Sequence, residues 1–502
     1  MQLEAKPNTW LFETEAFVAP TGFREYDARW WFGHPGSDKP PQINLYGIQA
    51  LGLGLGTLIH ELGKAPKIVT GHDFRGYSLG VKQALEVGLM QAGIKVHDIG
   101  LAVSPMAYFA QFHLDAPCVA MVTASHNSNG WTGVKMGVER PLTFGPDEMS
   151  RLKEIVLNDQ GVTRSGGGYV RAHGVAEAYK ADVAKGAAVR RKLKVVAACG
   201  NGTAGAFAPD VLRAMGVEVV EMDCELDHTF PNYNPNPEDM KMLHAVSAKV
   251  RETGADIGLA FDGDGDRCGV VDETGAEIFA DKVGLMLARD LSAHFADATF
   301  VVDVKSTGLY ATDPILKANG ATTQYWKTGH SYIKRRSNEL GALAGFEKSG
   351  HYFLQPPIGR GYDDALVSAR VILEMLDRNP DATMSQLFAA LPVSYGSPTM
   401  SPACDDEKKY AVIDKIVARY ESRRDAGEMI AGRKIIDINT VNGVRFTLDG
   451  GAWGLVRASS NSPNLVVVVE SLESADAMRA VFADIKAELA RHEAVGAFDQ
   501  EV

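Results

Sequence analysis

Cysteine is scarce in this 502-residue chain, with only Cys118, Cys199, Cys224, Cys268 and Cys404. They are scattered and form no C-x-x-C pair, so neither a structural zinc site nor a disulfide framework is expected, and a reducing cytoplasm fits best. Long apolar runs are missing as well. None approaches the roughly 18 residues of a membrane helix, and the opening segment "MQLEAKPNTWLFETEAFVAP" lacks a basic head followed by an apolar stretch, so no signal peptide is expected. Positive charge is in deficit: 51 Lys and Arg against 63 Asp and Glu leave a net charge of −12. That balance argues against nucleic acid or anionic membrane as a partner, since both need a basic surface, but a small anionic substrate needs only a local gathering of cations. What remains is an ordinary soluble globular chain, 45% hydrophobic and 23% charged. It is too long for one core and is sized for roughly three to five domains.

One unit recurs three times. "KIVTGHDFRGYSLGVKQALEVGLMQAGIKVHDIG", "LKVVAACGNGTAGAFAPDVLRAMGVEVVEMD" and "TFVVDVKSTGLYATDPILKANGATTQYWKTG" each show a β-branched run, a polar or Gly-rich turn, a helical segment, a glycine (Gly93, Gly216, Gly320) and a second β-type run. In the first copy Val81, Ala84, Leu85, Gly88, Leu89 and Ala92 keep helical spacing, and Gly93 suits the left-handed residue that closes a helix. The units read as βαβ. Each is followed by a further apolar strand that delivers a loop rich in reactive groups: "CVAMVTASHN", "IGLAFDGDGDR" and "ALAGFEKSGH". In α/β proteins strand ends are where ligands usually bind. After about residue 395 the pattern changes to strands and a terminal helix, "KIIDINTVNGVRFTLDG", "WGLVRASSNSPNLVVVVES" and "SADAMRAVFADIKAELARH", with "LPVSYGSPTMSPACDD" as the linker. The expected fold is three homologous α/β domains with mixed sheets plus a C-terminal α+β domain, at residues 1–168, 169–276, 277–394 and 395–502.

In "FDGDGDR" Asp262, Asp264 and Asp266 alternate with glycines that let the backbone curl, so three carboxylates can aim at one point. Hard oxygen donors of this number suit Mg²⁺ or Ca²⁺. An EF-hand is the rival, since Glu273 falls at loop position twelve, but Arg267 occupies position six, where glycine is needed, and "ADIGLAF" reads as strand. Three bare carboxylates in a plain Asp-Gly turn would repel each other. "FEKSGH" supplies Glu347, Ser349 and His351, able to bind sugar hydroxyls and assist proton transfer, or to form a polar surface loop. "VRASSNSPN" offers Arg457, Ser459, Ser460 and Asn461 as a phosphate cradle or a capped turn. Ser125 in "VTASHNSNGWTGVKMG" is either a turn serine or a nucleophile. The G-x-S-x-G elbow of a hydrolase is missing, and His126, its sequence neighbour, is an unfavourable candidate base.

Together, in this order and over nearly the whole chain, the four loops resemble those of the α-D-phosphohexomutase superfamily, in its phosphomannomutase/phosphoglucomutase branch. "TASHN" is similar to that family's phosphoserine loop, "DGDGDR" to its metal loop, "FEKSGH" to its sugar loop and "RAS" to its phosphate loop. "FREYDAR", with Tyr26 and Arg29, "VDVKST", with Lys305, "KTGHSYIK", with His330, and the spacing of Lys135 from Ser125 extend the likeness. The resemblance implies a central cleft in which phosphorylated Ser125 and Asp262, Asp264 and Asp266 hold Mg²⁺. Arg29, Lys135 and Arg267 would supply positive charge, and His351 and Lys135 are the candidates for proton transfer. Tyr26, Lys305, His330, Glu347, Ser349, Arg457, Ser459, Ser460 and Asn461 would bind a phosphosugar. The implied reaction interconverts hexose 1-phosphate and hexose 6-phosphate, of mannose or glucose, through a hexose 1,6-bisphosphate. A cytoplasmic monomer or weak homo-oligomer follows. Departures at Trp30, Ser128, Phe346 and Ser460-Asn461 touch substrate preference but remove no charged group. The alternatives are phosphoglucosamine mutase, whose R-x-S-G-T-E-P loop "RASSNSPN" does not match, a metal-dependent sugar-phosphate phosphatase, and a non-catalytic sugar-phosphate binder.

Overall fold

The three repeated stretches fold alike. In the computed structural model, which describes residues 6–187, 189–460 and 462–502, each copy places one central strand between two parallel neighbours. The first sheet contains β1 (Ala28–Trp31), β2 (Lys67–His72), β3 (Lys95–Leu101), β4 (Cys118–Val122), β5 (Trp131–Gly137) and β6 (Gly168–Arg171) in the order β1-β5-β4-β2-β3-β6. Here β2 lies parallel to both β3 and β4, while β5 runs antiparallel to β4. The second sheet repeats this with β7 (Lys194–Ala198), β8 (Glu218–Met222), β9 (Ile257–Phe261), β10 (Cys268–Asp272) and β11 (Glu277–Ile278) in the order β11-β10-β9-β7-β8. In the third copy β12 (Thr299–Asp303) lies parallel to both β13 (Thr322–Trp326) and β14 (Ala344–Phe346).

The glycine of each copy does the same job. Gly93, Gly216 and Gly320 have φ of +80°, +93° and +70°, and the chain reverses there after the helices Ser78–Gln91, Ala208–Ala214 and Pro314–Ala318. A Cβ would disfavour that conformation. The third helix is broken where the sequence reads Asp-Pro. Proline cannot continue the segment Leu309–Thr312, and the Asp313 carboxylate caps the next turn by accepting from the amides of Ile315 at 2.9 Å and Leu316 at 3.0 Å.

The C-terminal region is a six-stranded antiparallel sheet of β15 (Tyr395–Gly396), β16 (Met429–Ile430), β17 (Arg433–Asn439), β18 (Val444–Leu448), β19 (Trp453–Ala458) and β20 (Leu465–Ser471), in the order β15-β20-β19-β18-β17-β16. Helices Lys409–Asp425 and Ala475–Leu489 cover one face, burying Ile416, Tyr420, Val481 and Ile485 against Phe446, Val456 and Val467. On β20 the alternate residues Val466 and Val468 face the other way and cluster with Val304, Trp453 and Leu455. With both faces covered, β20 reads as the unbroken apolar run "LVVVV".

The chain divides into two compact units, Met1–Ala280 with Ser349–Gln386, and Asp281–Lys348 with Leu387–Val502. The third copy's strands and the C-terminal sheet therefore belong to one unit. Two buried charges lock them. Glu470, on β20, accepts from Lys282 Nζ, Gly308 N and Trp453 Nε1, each at 2.7 Å, and from Thr307 Oγ1 at 2.8 Å. The Arg445 guanidinium stacks 4.1 Å from the Tyr325 ring and 3.7 Å from that of Trp453, and donates to the carbonyls of Val304 at 2.6 Å and Ser306 at 2.7 Å.

Burial pushes the Glu470 carboxyl up, but the Lys282 ammonium and the Gly308 and Thr307 donors outweigh it and bring it down to about 2. A carboxyl depressed in the folded state contributes stability that is complete above its ordinary value and is lost as pH falls towards its folded value. Stability should therefore fall between roughly pH 4.5 and pH 2, by on the order of 3 kcal/mol from this group. Glu470→Gln should start lower at pH 7 and lose less on acidification, as read from urea midpoints at pH 7 and pH 3.5.

Candidate active site

Ser125 lies just beyond the C-terminal end of β4, 1% exposed, with φ of +53°. A serine in the left-handed region is strained and persists only when its surroundings fix it. Arg75 does so. Its buried guanidinium donates to the carbonyls of Ser125 at 3.0 Å and Asn127 at 2.5 Å and is paired with the buried Asp73 carboxylate. The Ser125 amide donates to Thr123 Oγ1 at 2.9 Å. The hydroxyl oxygen is left 3.4 Å from Asp262 Oδ2 and 3.1 Å from His126 Nδ1. The sequence made His126 an unfavourable partner, yet the turn brings its ring within hydrogen-bond reach. Burial and the nearby Arg267 and Arg29 hold that imidazole well below its ordinary value, so it is neutral at pH 7.

The aspartate turn joins β9 to β10, in the same unit. Asp262 Oδ1 accepts from the amides of Asp266 at 2.9 Å and Arg267 at 3.2 Å, which curls the loop on itself. Gly263 is required by close approach, because a Cβ there would lie 2.6 Å from the Ser125 carbonyl oxygen. Asp262, Asp264 and Asp266 are each fully buried, and one oxygen from each lies within 4.8 Å of the others. Asp264 Oδ2 accepts from Ser104 Oγ at 2.6 Å and Lys135 Nζ at 2.7 Å, and Lys135 also pairs with Asp266. Asp264 Oδ1 and Asp266 Oδ1 are buried with no hydrogen-bond partner among the described residues. Buried carboxylate oxygens of this kind call for a cation, and an all-oxygen set fits a hard divalent ion such as Mg²⁺.

The electrostatics agree. Burial, then Asp266 and Asp264, push the Asp262 carboxyl well above its ordinary value. Burial also pushes Asp264 up, but Lys135 outweighs it and holds that carboxyl down. Burial alone would lower the Lys135 ammonium; Asp264 and Asp266 raise it well above its ordinary value, which makes it a fixed cation. Arg29 donates to Asp27 at 3.0 Å and reaches towards the serine loop, 3.5 Å from the Ala124 carbonyl and 3.4 Å from Asn127 Oδ1. Arg267 Nε donates to His351 Nε2 at 3.0 Å, and His351 Nδ1 lies 2.9 Å from Asp363 Oδ2. Nε2 of His351 therefore faces a donor, while Nδ1 faces a carboxylate. Ser125, Lys135, Arg29, Arg267, His351 and the three aspartates are thus gathered in one unit, to which the buried Tyr26 and Ser349 also belong.

Lys305, His330, Glu347, Arg457, Ser459 and Ser460 belong to the other unit. Glu347 follows β14 and accepts from the Gly329 amide at 2.5 Å, beside His330 at the start of the helix His330–Leu340. Lys305 lies 4.0 Å from Asp303. Asn442, in the turn between β17 and β18, accepts from the Thr328 amide at 3.2 Å and so ties this loop to the C-terminal sheet. Arg457 is the penultimate residue of β19, buried, donating to the Ala458 carbonyl at 2.8 Å. Lys409 supports the phosphate-type loop from below, reaching the carbonyls of Ser459 at 2.5 Å and Ser462 at 3.1 Å. Asn461 lies outside the described residues.

Sequence reasoning missed Arg75 with Asp73, Ser104, Asp363, Asn442 and Lys409. The first pair had a signal, the charged "HDFR" directly after β2. Asp363 was hidden by its neighbour: Asp364 caps the helix Ala365–Arg378, so "GYDDA" reads as a helix start.

Four family profiles match the chain in succession: "Phosphoglucomutase/phosphomannomutase, alpha/beta/alpha domain I" over residues 21–162, domain II over 173–275, domain III over 279–395, and the C-terminal domain over 403–488. The chain is 35% identical over 416 residues to a phosphomannomutase/phosphoglucomutase of Pseudomonas putida, covering 82% of this chain and 85% of that protein. It is 32% identical over 457 residues to a phosphoglucomutase of Neisseria meningitidis, covering 91% and 94%. The crystal structure of a phosphoglucomutase/phosphomannomutase family protein from Burkholderia thailandensis superposes with a TM-score of 0.83 at 28% identity, over 96% of this chain and all of that one. Four successive profiles that together span most of the chain, and relatives at 35% and 32% identity over most of both lengths, place this chain in the phosphoglucomutase/phosphomannomutase family of α-D-phosphohexomutases.

Proposed function

We propose that this chain interconverts hexose 1-phosphate and hexose 6-phosphate, with mannose or glucose as the sugar, using Ser125 as the phosphoryl carrier. The observation that carries the reading is the Ser125 hydroxyl, strained, buried and 3.4 Å from the first of three clustered carboxylates. Asp262, Asp264 and Asp266 would hold Mg²⁺, which when bound offsets negative charge on the transferring phosphoryl group. Lys135, Arg267 and Arg29 add fixed positive charge around it.

In the forward step the P–O bond to Ser125 breaks as a new one forms to the free hydroxyl of the hexose phosphate. His351 and Lys135 are the candidates for proton transfer: His351 would take the hydroxyl proton at Nε2, with Nδ1 facing Asp363, and Lys135 would return a proton to the departing Ser125 oxygen. The hexose 1,6-bisphosphate turns over, and Ser125 recovers the other phosphate. We assign Glu347 and Ser349 to the sugar hydroxyls, and Tyr26, Lys305, His330, Arg457, Ser459, Ser460 and Asn461 to binding the phosphosugar. The four segments 1–168, 169–276, 277–394 and 395–502 would carry the serine, metal, sugar and phosphate loops in turn. A cytoplasmic monomer or weak homo-oligomer fits this role, and no helix among the described residues is long and apolar enough to cross a membrane. A phosphatase would need only the serine and metal loops; the buried Arg457 and the supported loop after it favour a substrate with a second phosphate.

Ser125→Ala should lower mutase activity by several orders of magnitude with the fold retained, since the hydroxyl is the only carrier. Intact mass of the wild-type protein should show a phosphate that maps to Ser125; full activity in the alanine variant would refute the assignment. Arg457→Ala should raise KM with kcat nearly unchanged, costing about 1.5–3 kcal/mol of binding. Asp264→Asn should lower kcat instead, with part of the loss restored by added Mg²⁺.

A further inference from the structure

Cys199 and Cys224 are far apart in sequence and unremarked by any motif, yet their sulfurs lie 3.6 Å apart. Cys199 directly follows β7 and is fully buried, its amide donating to the Met222 carbonyl at 3.1 Å; Cys224 lies just beyond the neighbouring parallel strand β8 and is partly exposed. The two segments are laced together around the pair. Asn201 N donates to the Asp223 carbonyl at 2.7 Å and Asn201 Nδ2 to that of Glu225 at 2.9 Å, and a Cβ on Gly205 would lie 2.1 Å from the Cys224 carbonyl oxygen.

The turn that leaves Cys199 also carries the metal loop. Thr203 N donates to the Gly263 carbonyl at 2.9 Å, and a Cβ on Gly202 would meet Gly263 Cα at 2.9 Å. Gly263 sits between Asp262 and Asp264. Three residues of backbone thus separate Cys199 from Thr203, whose amide holds the carbonyl that lies between Asp262 and Asp264.

We propose that Cys199 and Cys224 are a redox-active dithiol, which hydrogen peroxide converts to a disulfide that weakens the metal loop's hold on Mg²⁺. The Cys224 sulfur, the more accessible of the two, attacks the peroxide; an S–O bond forms, the O–O bond breaks, and one water leaves. Cys199 sulfur then attacks Cys224 sulfur, the S–O bond breaks, and the hydroxide departs with the Cys199 proton as a second water. Two electrons pass from the thiols to the peroxide. The hydrogen bond shared by the sulfurs draws the Cys224 thiol below its ordinary value against the opposing Glu221 and Asp223, which favours it as the first to react. Closing the sulfurs from 3.6 Å to the roughly 2.05 Å of a disulfide draws Cys199 towards Cys224 and so pulls on the Cys199 to Thr203 turn.

The test uses the full-length protein treated with hydrogen peroxide, alkylated and digested with trypsin. The expected product is a disulfide-linked pair of peptides, residues 195–213 and 214–241, which dithiothreitol separates. Calorimetric titration with Mg²⁺ alone should show roughly ten-fold weaker binding after oxidation, the size of effect that displaced supporting groups have on metal sites. Reduction should restore it, and Cys224→Ser should form no link and keep its Mg²⁺ affinity under peroxide. Recovery of Cys199 as a free thiol beside an over-oxidised Cys224 would overturn the dithiol. A linked pair with unaltered Mg²⁺ affinity would overturn its coupling to the metal loop.

Discussion

Three carboxylates buried within 4.8 Å of one another are the constraint on which the rest of this molecule turns. Like charges in a site of low dielectric repel strongly, so the arrangement persists only if cations are supplied and the backbone cannot relax away from them. The chain meets both conditions locally. Lys135 from β5 and Arg267 at the end of the aspartate turn bring charge, while the amides of Asp266 and Arg267 pin Asp262 from below. Ser125 enters the same small volume because Arg75 grips its carbonyl and Gly263 leaves room for that carbonyl to pass. A group that transfers phosphoryl needs this combination, a nucleophile that is fixed before the reaction and a surrounding of compensating charge that needs no rearrangement.

Much of this was legible because the repeat places chemistry at equivalent positions. Once the first copy is read as βαβ, the strand that follows each copy, and the loop it delivers, can be located in all three, and β4, β9 and β14 end where "TASHN", "DGDGDR" and "FEKSGH" begin. Gly93, Gly216 and Gly320 punctuate the copies for a steric reason visible in the sequence. What stayed hidden were contacts across long sequence separation. Arg75 reaches Ser125 over fifty positions and Ser104 reaches Asp264 over one hundred and sixty, and no local pattern encodes either. Asp363 was masked by the capping role of the adjacent Asp364. The pairing of Cys199 with Cys224 depends on the adjacency of β7 and β8, which the repeat implies but does not resolve to single side chains.

The second unit has a different economy of charge. Two of its buried ions are structural: Glu470 and Arg445 direct their hydrogen bonds to backbone and neighbouring side chains, so that the sheet of β12 to β14 and the C-terminal sheet are fastened together. Loops carrying Glu347 and Arg457 stand on that joint foundation, and Asn442 ties the first of them to the C-terminal sheet directly. If the two loops bind one substrate, as proposed, a shared foundation fixes their separation without loss of ordering entropy at each binding event.

In the proposed mechanism Ser125 lends its phosphoryl group to the sugar and takes one back. The direct measurement is a rapid-quench chase of protein carrying ³²P on Ser125 with unlabelled glucose 1-phosphate or mannose 1-phosphate. Label should leave the protein for hexose 1,6-bisphosphate within a single turnover and appear later in hexose 6-phosphate. Label released only as inorganic phosphate, or retained on Ser125 while the sugars interconvert, would contradict it.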